Sequence, residues 1–229
     1  MVRTLIVFIL ILTSTLLVPV SSNIFAQGSS QNDHSIRTET TILARTALHK
    51  DSVYRLFEVI QTRGRWILPD VGYIDFGDTG DYREFWGGGG AILHRSDHML
   101  LIFEGLVTVA AGSATDRAIY FQPWVLFGYT ITPRLTGEVV YFPYIPLNKA
   151  GVAQHLIERA KLDYDLGIFK VGGGYSGLQF GTDRWKHRPF LSTTVGLGRL
   201  GALELWVQKV SGEGRHLRTQ IRYSLNLTH

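Results

Sequence analysis

The sequence predicts an all-β protein, a closed antiparallel up-and-down transmembrane β-barrel, and three observations support that prediction. The chain of 229 residues is 45% apolar and 18% charged and contains 25 glycines, a composition that suits a folded protein with many tight turns. From Trp66 onward, apolar and polar residues alternate, which is the period of a strand with one dry side. Short and long connections alternate between these strands, so a meander would collect its short turns at one end.

The N-terminal segment, residues 1–26, is predicted to be a secretory signal peptide. Arg3 precedes an apolar stretch from Leu5 to about Val20, and small residues lead to a cleavage site after Ala26. An uncleaved membrane anchor is the alternative interpretation, but Thr13 to Thr15 and Pro19 interrupt the apolar run. The segment therefore predicts export.

Residues 27–65 are predicted to be a flexible leader followed by a short periplasmic helix over residues 41–61. The leader, to about Glu39, is polar and shows no periodicity, whereas Leu43, Ala47, Val53 and Leu56 recur at roughly helical spacing. Such a helix could cap the barrel or plug it. An extra strand over residues 53–63 fits the same segment.

The barrel itself is predicted over residues 66–229, with about ten strands and a possible range of eight to twelve. The predicted strands are 66–76, 82–94, 98–111, 117–131, 134–146, 154–167, 169–180, 188–198, 202–210 and 215–227. Long loops separate alternate pairs, for example at 77–81, 112–116, 146–153, 181–187 and 211–215. This arrangement places both chain termini at the end with the short turns.

The orientation of the strands follows from the stretch that begins at Arg159. Arg159, Lys161, Asp163 and Asp165 share one side of a strand, and the apolar residues between them share the other. A Lys or Arg that faces lipid near the membrane midplane costs roughly 2–4 kcal/mol, so the charged side is predicted to face inward. A soluble, lipocalin-like carrier, with the apolar side around a hydrophobic ligand, is the opposite alternative.

The inward charges are predicted to form an ion-pair network that fills a narrow lumen. Its predicted members are Glu104, Glu138, Arg159, Lys161, Asp163, Asp165, Lys170, Glu204 and Arg222. A closed, structural interior is favoured, and a conducting pore with weak cation preference is the alternative.

Basic residues in two of the long loops form a second candidate site. We expect Arg184, Lys186, Arg188 and Arg215 to hold the anionic headgroups of lipopolysaccharide through charge-assisted hydrogen bonds. An ordinary solvated loop is the alternative.

Catalytic, metal and cofactor sites are not expected. The chain has no cysteine and a net charge of only +4, so thiolate chemistry is excluded and nucleic acid is not an expected partner. The string "HRSDH" at residues 94–98 combines His, Ser and Asp, but neighbours in a turn point in different directions. His187 and Ser192 do not match the spacing of lipid A deacylases, which leaves a lipid-modifying enzyme as an alternative only.

From about Trp66 to its end, the chain resembles small outer-membrane β-barrel proteins of Gram-negative bacteria. The resemblance depends on the signal peptide, on the hairpins "DLGIFKVGGGY" and "TVGLGRLGALELWV", and on the last strand, "QIRYSLNL". It implies an outer-membrane location with both termini in the periplasm, contact with outer-membrane lipid and lipopolysaccharide, and insertion by the barrel assembly machinery. A structural, adhesive or narrow-channel role follows from the same resemblance.

Overall fold

The computed structural model describes residues 38–49, 52–77, 82–112, 115–209 and 217–229. They form a closed barrel of antiparallel strands with one 3-10 turn, Gly198–Leu200. The twelve strands are β1 (Thr38–His49), β2 (Ser52–Arg63), β3 (Trp66–Asp75), β4 (Arg83–Arg95), β5 (Met99–Gly112), β6 (Thr115–Thr132), β7 (Leu135–Pro146), β8 (Gln154–Asp165), β9 (Phe169–Phe180), β10 (Lys186–Gly196), β11 (Ala202–Lys209) and β12 (Leu217–Thr228). Within the described ranges, no helix has the length and apolar character needed to cross a membrane.

The strand order is a simple meander, in which each strand pairs with its neighbours in the sequence. The sheet closes where β1 meets β12, with Thr40 opposite Leu227 and Ala47 opposite Gln220. All ten predicted strands are present, as β3 to β12, and their described ends lie within two residues of the predicted ones. Closure leaves no unpaired strand edge, which is the condition for placing a sheet in lipid.

The helix predicted around residues 41–61 is wrong, because this segment forms β1 and most of β2. Leu43, Arg45 and Ala47 are buried on one side of β1, and Tyr54 and Glu58 are buried on the same side of β2. This alternation has the period of a strand. The strand alternative for residues 53–63 is confirmed, the barrel begins at Thr38, and the strand count of twelve is the upper end of the predicted range.

The predicted signal peptide, residues 1–26, and the leader up to residue 37 lie outside the described residues.

The two ends of the barrel differ in their connections. At one end, here called the turn end, the strands are joined by residues 64–65, 96–98, 133–134, 166–168 and 197–201. At the other, the loop end, residues 50–51, 76–82, 113–114, 147–153, 181–185 and 210–216 separate the strands. Two loop-end connections are as short as turns, so the predicted alternation in length is not strict. The first strand begins and the last strand ends at the turn end, where the His229 amide donates to the Thr38 carbonyl at 2.9 Å.

The apolar side of each strand forms the outer surface of the barrel, as predicted. In β8, Leu162 and Tyr164 are 51% and 43% exposed, whereas Arg159 of the same strand is 3% exposed. Phe121 and Phe127 also face outward. Such an exterior has the character of a lipid-facing surface, and it is the reverse of the soluble lipocalin-like alternative.

The glycines of β4 allow its neighbours to approach closely. A Cβ atom at Gly88 would overlap the Gly105 carbonyl, and one at Gly90 would overlap the carbonyl of Phe103 and the backbone of Glu104. At Gly87, by contrast, the same atom would make only an ordinary contact with Val71. The glycine run therefore lets β4 and β5 pack closely where both approach the barrel interior.

Candidate functional site

Charged side chains from distant strands meet in the middle of the barrel. Arg159 contacts Glu138 and Glu158. The Lys161 Nζ atom lies 2.9 Å from Asp163 Oδ2 and 2.6 Å from Glu204 Oε1. We call this layer the charge belt, and its members are Arg45, Glu58, Asp70, Glu104, Glu138, Glu158, Arg159, Lys161, Asp163, Glu204 and Arg222.

The position of Glu158 depends on a β-bulge in β8. The register of β8 shifts between Ile157 and Ala160 relative to β9, and Arg159 pairs with Val140 of β7. A bulge interrupts the alternation of sides, so the neighbours Glu158 and Arg159 both turn toward the interior. Glu158 there also binds Arg45 of β1. The bulge therefore links the middle of the sequence to the strand that closes the barrel.

One side of the charge belt is acidic. Glu58 of β2, Asp70 of β3 and Glu104 of β5 are 9%, 1% and 2% exposed, and Trp86 donates from Nε1 to Asp70 Oδ1 at 3.3 Å. All described cations of β2 to β6 are exposed, so none of them is buried beside these carboxyl groups; they are Arg55, Arg63, Arg83, Arg95 and Arg117. This acidic side, β2 to β5, thus contrasts with the ion-paired side, which comprises β7 to β12 and β1.

A cavity of about 590 Å³ occupies the interior between the loop end and the charge belt. We call it the vestibule. Its floor includes Arg45, Glu58, Glu158 and Arg222. Aromatic rings run along one wall, with centroid separations of 5.3 Å for Tyr120–Tyr144, 5.7 Å for Phe142–Tyr144 and 5.4 Å for Trp124–Phe142. A volume of this size is typical of sites for small organic molecules.

Glu84 lines the vestibule and is held by hydroxyl groups. Tyr82 donates to Glu84 Oε1 at 2.7 Å, and Tyr144 donates to Oε2 at 3.1 Å. Burial and the neighbouring Glu84 charge raise the pKa of the Tyr82 phenol well above its ordinary value, so Tyr82 keeps its proton and acts as a donor. Two neutral donors therefore satisfy a carboxyl group on the acidic side.

The structure places the nine residues predicted for the lumen at or near the charge belt. Glu104, Glu138, Arg159, Lys161, Asp163, Glu204 and Arg222 belong to it, and the Arg222 Nη1 atom lies 3.9 Å from Glu204 Oε2. Lys170 and Asp165 lie nearer the turn end, opposite each other in the β8–β9 register. Asp165 also accepts a hydrogen bond from the Gly167 amide at 2.7 Å.

The four residues predicted to bind lipopolysaccharide are not in one place. Arg184 and Lys186 are exposed at the loop end, whereas Arg188 lines the vestibule. Arg215 lies outside the described residues. Arg188 was predicted to belong to a basic loop cluster, but it lies within β10, whose alternation turns it to the interior side.

Among the described residues, neither the 94–98 segment nor the pair His187 and Ser192 forms a Ser-His-Asp triad. Ser96 is in an exposed turn, where its hydroxyl oxygen accepts from the Met99 amide at 3.1 Å. His187 lies 2.9 Å from the Tyr175 hydroxyl on the outer face. Ser192 instead turns inward, where its hydroxyl donates to Asp163 at 3.5 Å.

Sequence reasoning missed four members of the belt, which are Arg45, Glu58, Asp70 and Glu158. Arg45 and Glu58 were assigned to a helix, although each sits at a period-two position within its own strand. Asp70 follows a register shift between Ile67 and Asp70, and Glu158 follows the bulge in β8. Strict alternation through a continuous strand gives the wrong side for a residue at a bulge.

Comparison with known proteins gives structural neighbours alone, since no family model and no curated protein sequence matches this chain. A NanC porin structure aligns with a TM-score of 0.62 at 9% identity, covering 81% of this chain and all of the porin chain. A KdgM porin aligns with a TM-score of 0.58 at 12% identity, covering 81% of this chain and 98% of its own. A second KdgM structure, in complex with disordered oligogalacturonate, has a TM-score of 0.56 at 12% identity.

These neighbours and the closed twelve-stranded barrel define the class of fold, which is that of small outer-membrane porins. The class-level resemblance found in the sequence is thereby confirmed. At 9–12% identity the likeness concerns the fold, and what the interior does has to be argued from its own side chains.

Proposed function

We propose that the protein is a narrow channel of the Gram-negative outer membrane, entered through the vestibule and constricted by the charge belt. The observation that carries this proposal is the arrangement of the interior. A cavity of about 590 Å³ extends from the loop end to the middle of the barrel, where Lys161 of β8 reaches across to Glu204 of β11. Porin-like neighbours with the same closed barrel support a channel role.

The orientation in the membrane is part of the proposal. Outer-membrane barrels have short periplasmic turns and longer extracellular loops, so we place the turn end and both chain termini in the periplasm. The vestibule then opens to the exterior. Insertion by the barrel assembly machinery is expected for a barrel in this location.

The charge belt supports a weak preference for cations. It holds seven carboxyl groups, Glu58, Asp70, Glu104, Glu138, Glu158, Asp163 and Glu204, and four cations, Arg45, Arg159, Lys161 and Arg222. Rings of carboxylates favour the passage of cations through a pore. The long ion-paired side chains also narrow the path, so conductance should be small.

The test is single-channel recording of the purified protein in planar lipid bilayers. The wild type should carry a small current with a reversal potential that reports cation preference. Replacing Lys161 and Glu204 together with Ser removes two large side chains without changing net charge, and should raise the conductance by about threefold or more because the constriction widens.

A matched control is the double replacement of Asp183 and Arg184 with Ser. This pair is also charge-neutral but is exposed at the loop end, so the conductance should stay at the wild-type value. If the wild-type barrel carried no current and the Lys161→Ser/Glu204→Ser barrel also carried none, the channel proposal would be contradicted. A structural or adhesive role would then be favoured.

Contact with lipopolysaccharide remains a separate proposal about the exterior. It is supported by the exposed Arg184 and Lys186 at the loop end, where phosphate groups of that lipid would lie. The Arg184→Gln/Lys186→Gln protein should retain less co-purified lipopolysaccharide than the wild type. Equal amounts in the two preparations would remove this proposal.

A further inference from the structure

The two walls of the vestibule have different chemistry. The wall formed by β3 to β9 carries aliphatic side chains, among them Ile74, Leu106, Leu156 and Leu178. The wall formed by β10 to β12 carries hydrogen-bond donors and cations, namely Arg188, Gln208, Arg218, Gln220 and Arg222. A molecule that fits both walls needs an apolar body and an acceptor group at one side.

The cations of the polar wall favour a ligand with negative charge. Arg218 lies two residues from Gln220 on the same side of β12 and stacks on Tyr54, with its Cζ atom 4.7 Å from the ring centroid. Arg188 and Arg222 also line the cavity. Guanidinium groups bind carboxylates through paired, charge-assisted hydrogen bonds.

We propose that the vestibule binds an amphiphilic carboxylate, whose apolar body lies against the aliphatic and aromatic side chains of β3 to β9 and whose carboxylate accepts from the guanidinium groups of Arg188 and Arg218. The few polar side chains of the β3 to β9 wall, such as Gln122 and Gln154, cannot match all the hydroxyl groups of an acidic sugar, which makes such a sugar the less favoured ligand. The inference rests on the proposed function in one respect, the access to the vestibule from the loop end. Binding itself does not require that the ligand passes the charge belt.

The experiment measures binding of 4-phenylbutyrate to the full-length protein in lipid nanodiscs. Trp86, Trp124 and Trp206 line the vestibule, so saturable quenching of tryptophan fluorescence reports occupancy, and empty nanodiscs correct for partition into lipid. The matched alcohol, 4-phenylbutan-1-ol, has the same apolar body without the charge. We expect the carboxylate to bind about tenfold more tightly than the alcohol.

Two matched variants locate the site. Arg218→Gln removes a cation from the vestibule and should weaken 4-phenylbutyrate binding by about tenfold while leaving the alcohol unchanged. Arg184→Gln makes the same replacement in the exposed loop and should change neither affinity.

Three outcomes would overturn the inference. One is equal affinity for the carboxylate and the alcohol, another is an Arg218→Gln protein that binds like the wild type, and the third is saturable binding of trigalacturonate in place of 4-phenylbutyrate. A failure of the channel proposal would give a different result from these three. A barrel that carries no current but binds 4-phenylbutyrate in an Arg218-dependent way retains the vestibule site and loses the channel.

Discussion

The two sides of the barrel interior solve the problem of buried charge differently. On the ion-paired side, Arg159 and Lys161 each contact two carboxylates. On the acidic side, Glu84 accepts from two tyrosine hydroxyls, and Asp70 accepts from the indole of Trp86 and also contacts the Glu58 and Glu104 side chains. Buried charge is therefore compensated by opposite charge on one side, whereas the carboxyl groups of the other side are held by hydrogen bonds without a counter-charge.

This difference determines how each side should respond to mutation. An ion pair that loses one partner leaves an uncompensated buried charge. A carboxyl group held by neutral donors can be replaced by an amide with a much smaller penalty, because the replacement removes a charge that had no counter-charge. The ion-paired side should therefore be the fragile one.

The largest expected effect is that of Arg159→Met, which leaves Glu138 and Glu158 without their shared cation. The cost should be about 3–5 kcal/mol in the free energy of unfolding. Denaturant unfolding from lipid vesicles, followed by tryptophan fluorescence, measures it.

The control for this prediction is Arg184→Met in the exposed loop, which should be near neutral. Adding Glu138→Gln to Arg159→Met should recover part of the lost stability, because Glu138 then carries no uncompensated charge while Glu158 keeps its ion pair with Arg45. If the double variant were as unstable as Arg159→Met alone, loss of packing rather than charge would be the cause, and the contrast between the sides would fail.

A smaller effect is expected for Gly90→Ala, which tests whether the acidic side depends on close backbone approach. The added methyl group would overlap the backbone of β5 next to Glu104, and strain of this kind costs about 1–3 kcal/mol. Gly87→Ala is the matched control, since its methyl group meets only an ordinary contact with Val71. Equal unfolding free energies for the two variants would contradict this account.

The smallest effects are expected around Glu84. Tyr144→Phe removes one of the two donors to this carboxyl group and should cost about 1 kcal/mol, whereas Glu84→Gln should cost less because no cation is stranded. A double-mutant cycle sharpens the comparison. In the Glu84→Gln background, Tyr144→Phe should cost clearly less, and an unchanged cost would place the Tyr144 contribution elsewhere.

The sequence predicted the strands after Trp66 and their inner and outer sides because both depend on local alternation. In β8, Arg159, Lys161 and Asp163 were correctly placed inward from the cost of charge in lipid alone. The helix predicted around residues 41–61 failed because a short apolar run fits period 3.6 and period two almost equally well. Arg45 and Glu58 were lost with it.

The sequence by itself determined the barrel class, the ten strands β3 to β12 and which side of these strands faces the interior, since these follow from residue type and a two-residue period. Only the tertiary structure decided that β1 and β2 complete the closure against β12, and that the bulge at Glu158 brings a second carboxylate to Arg159. Closure and bulges depend on which strands meet across the sheet, and that pairing is a long-range property that local alternation does not contain.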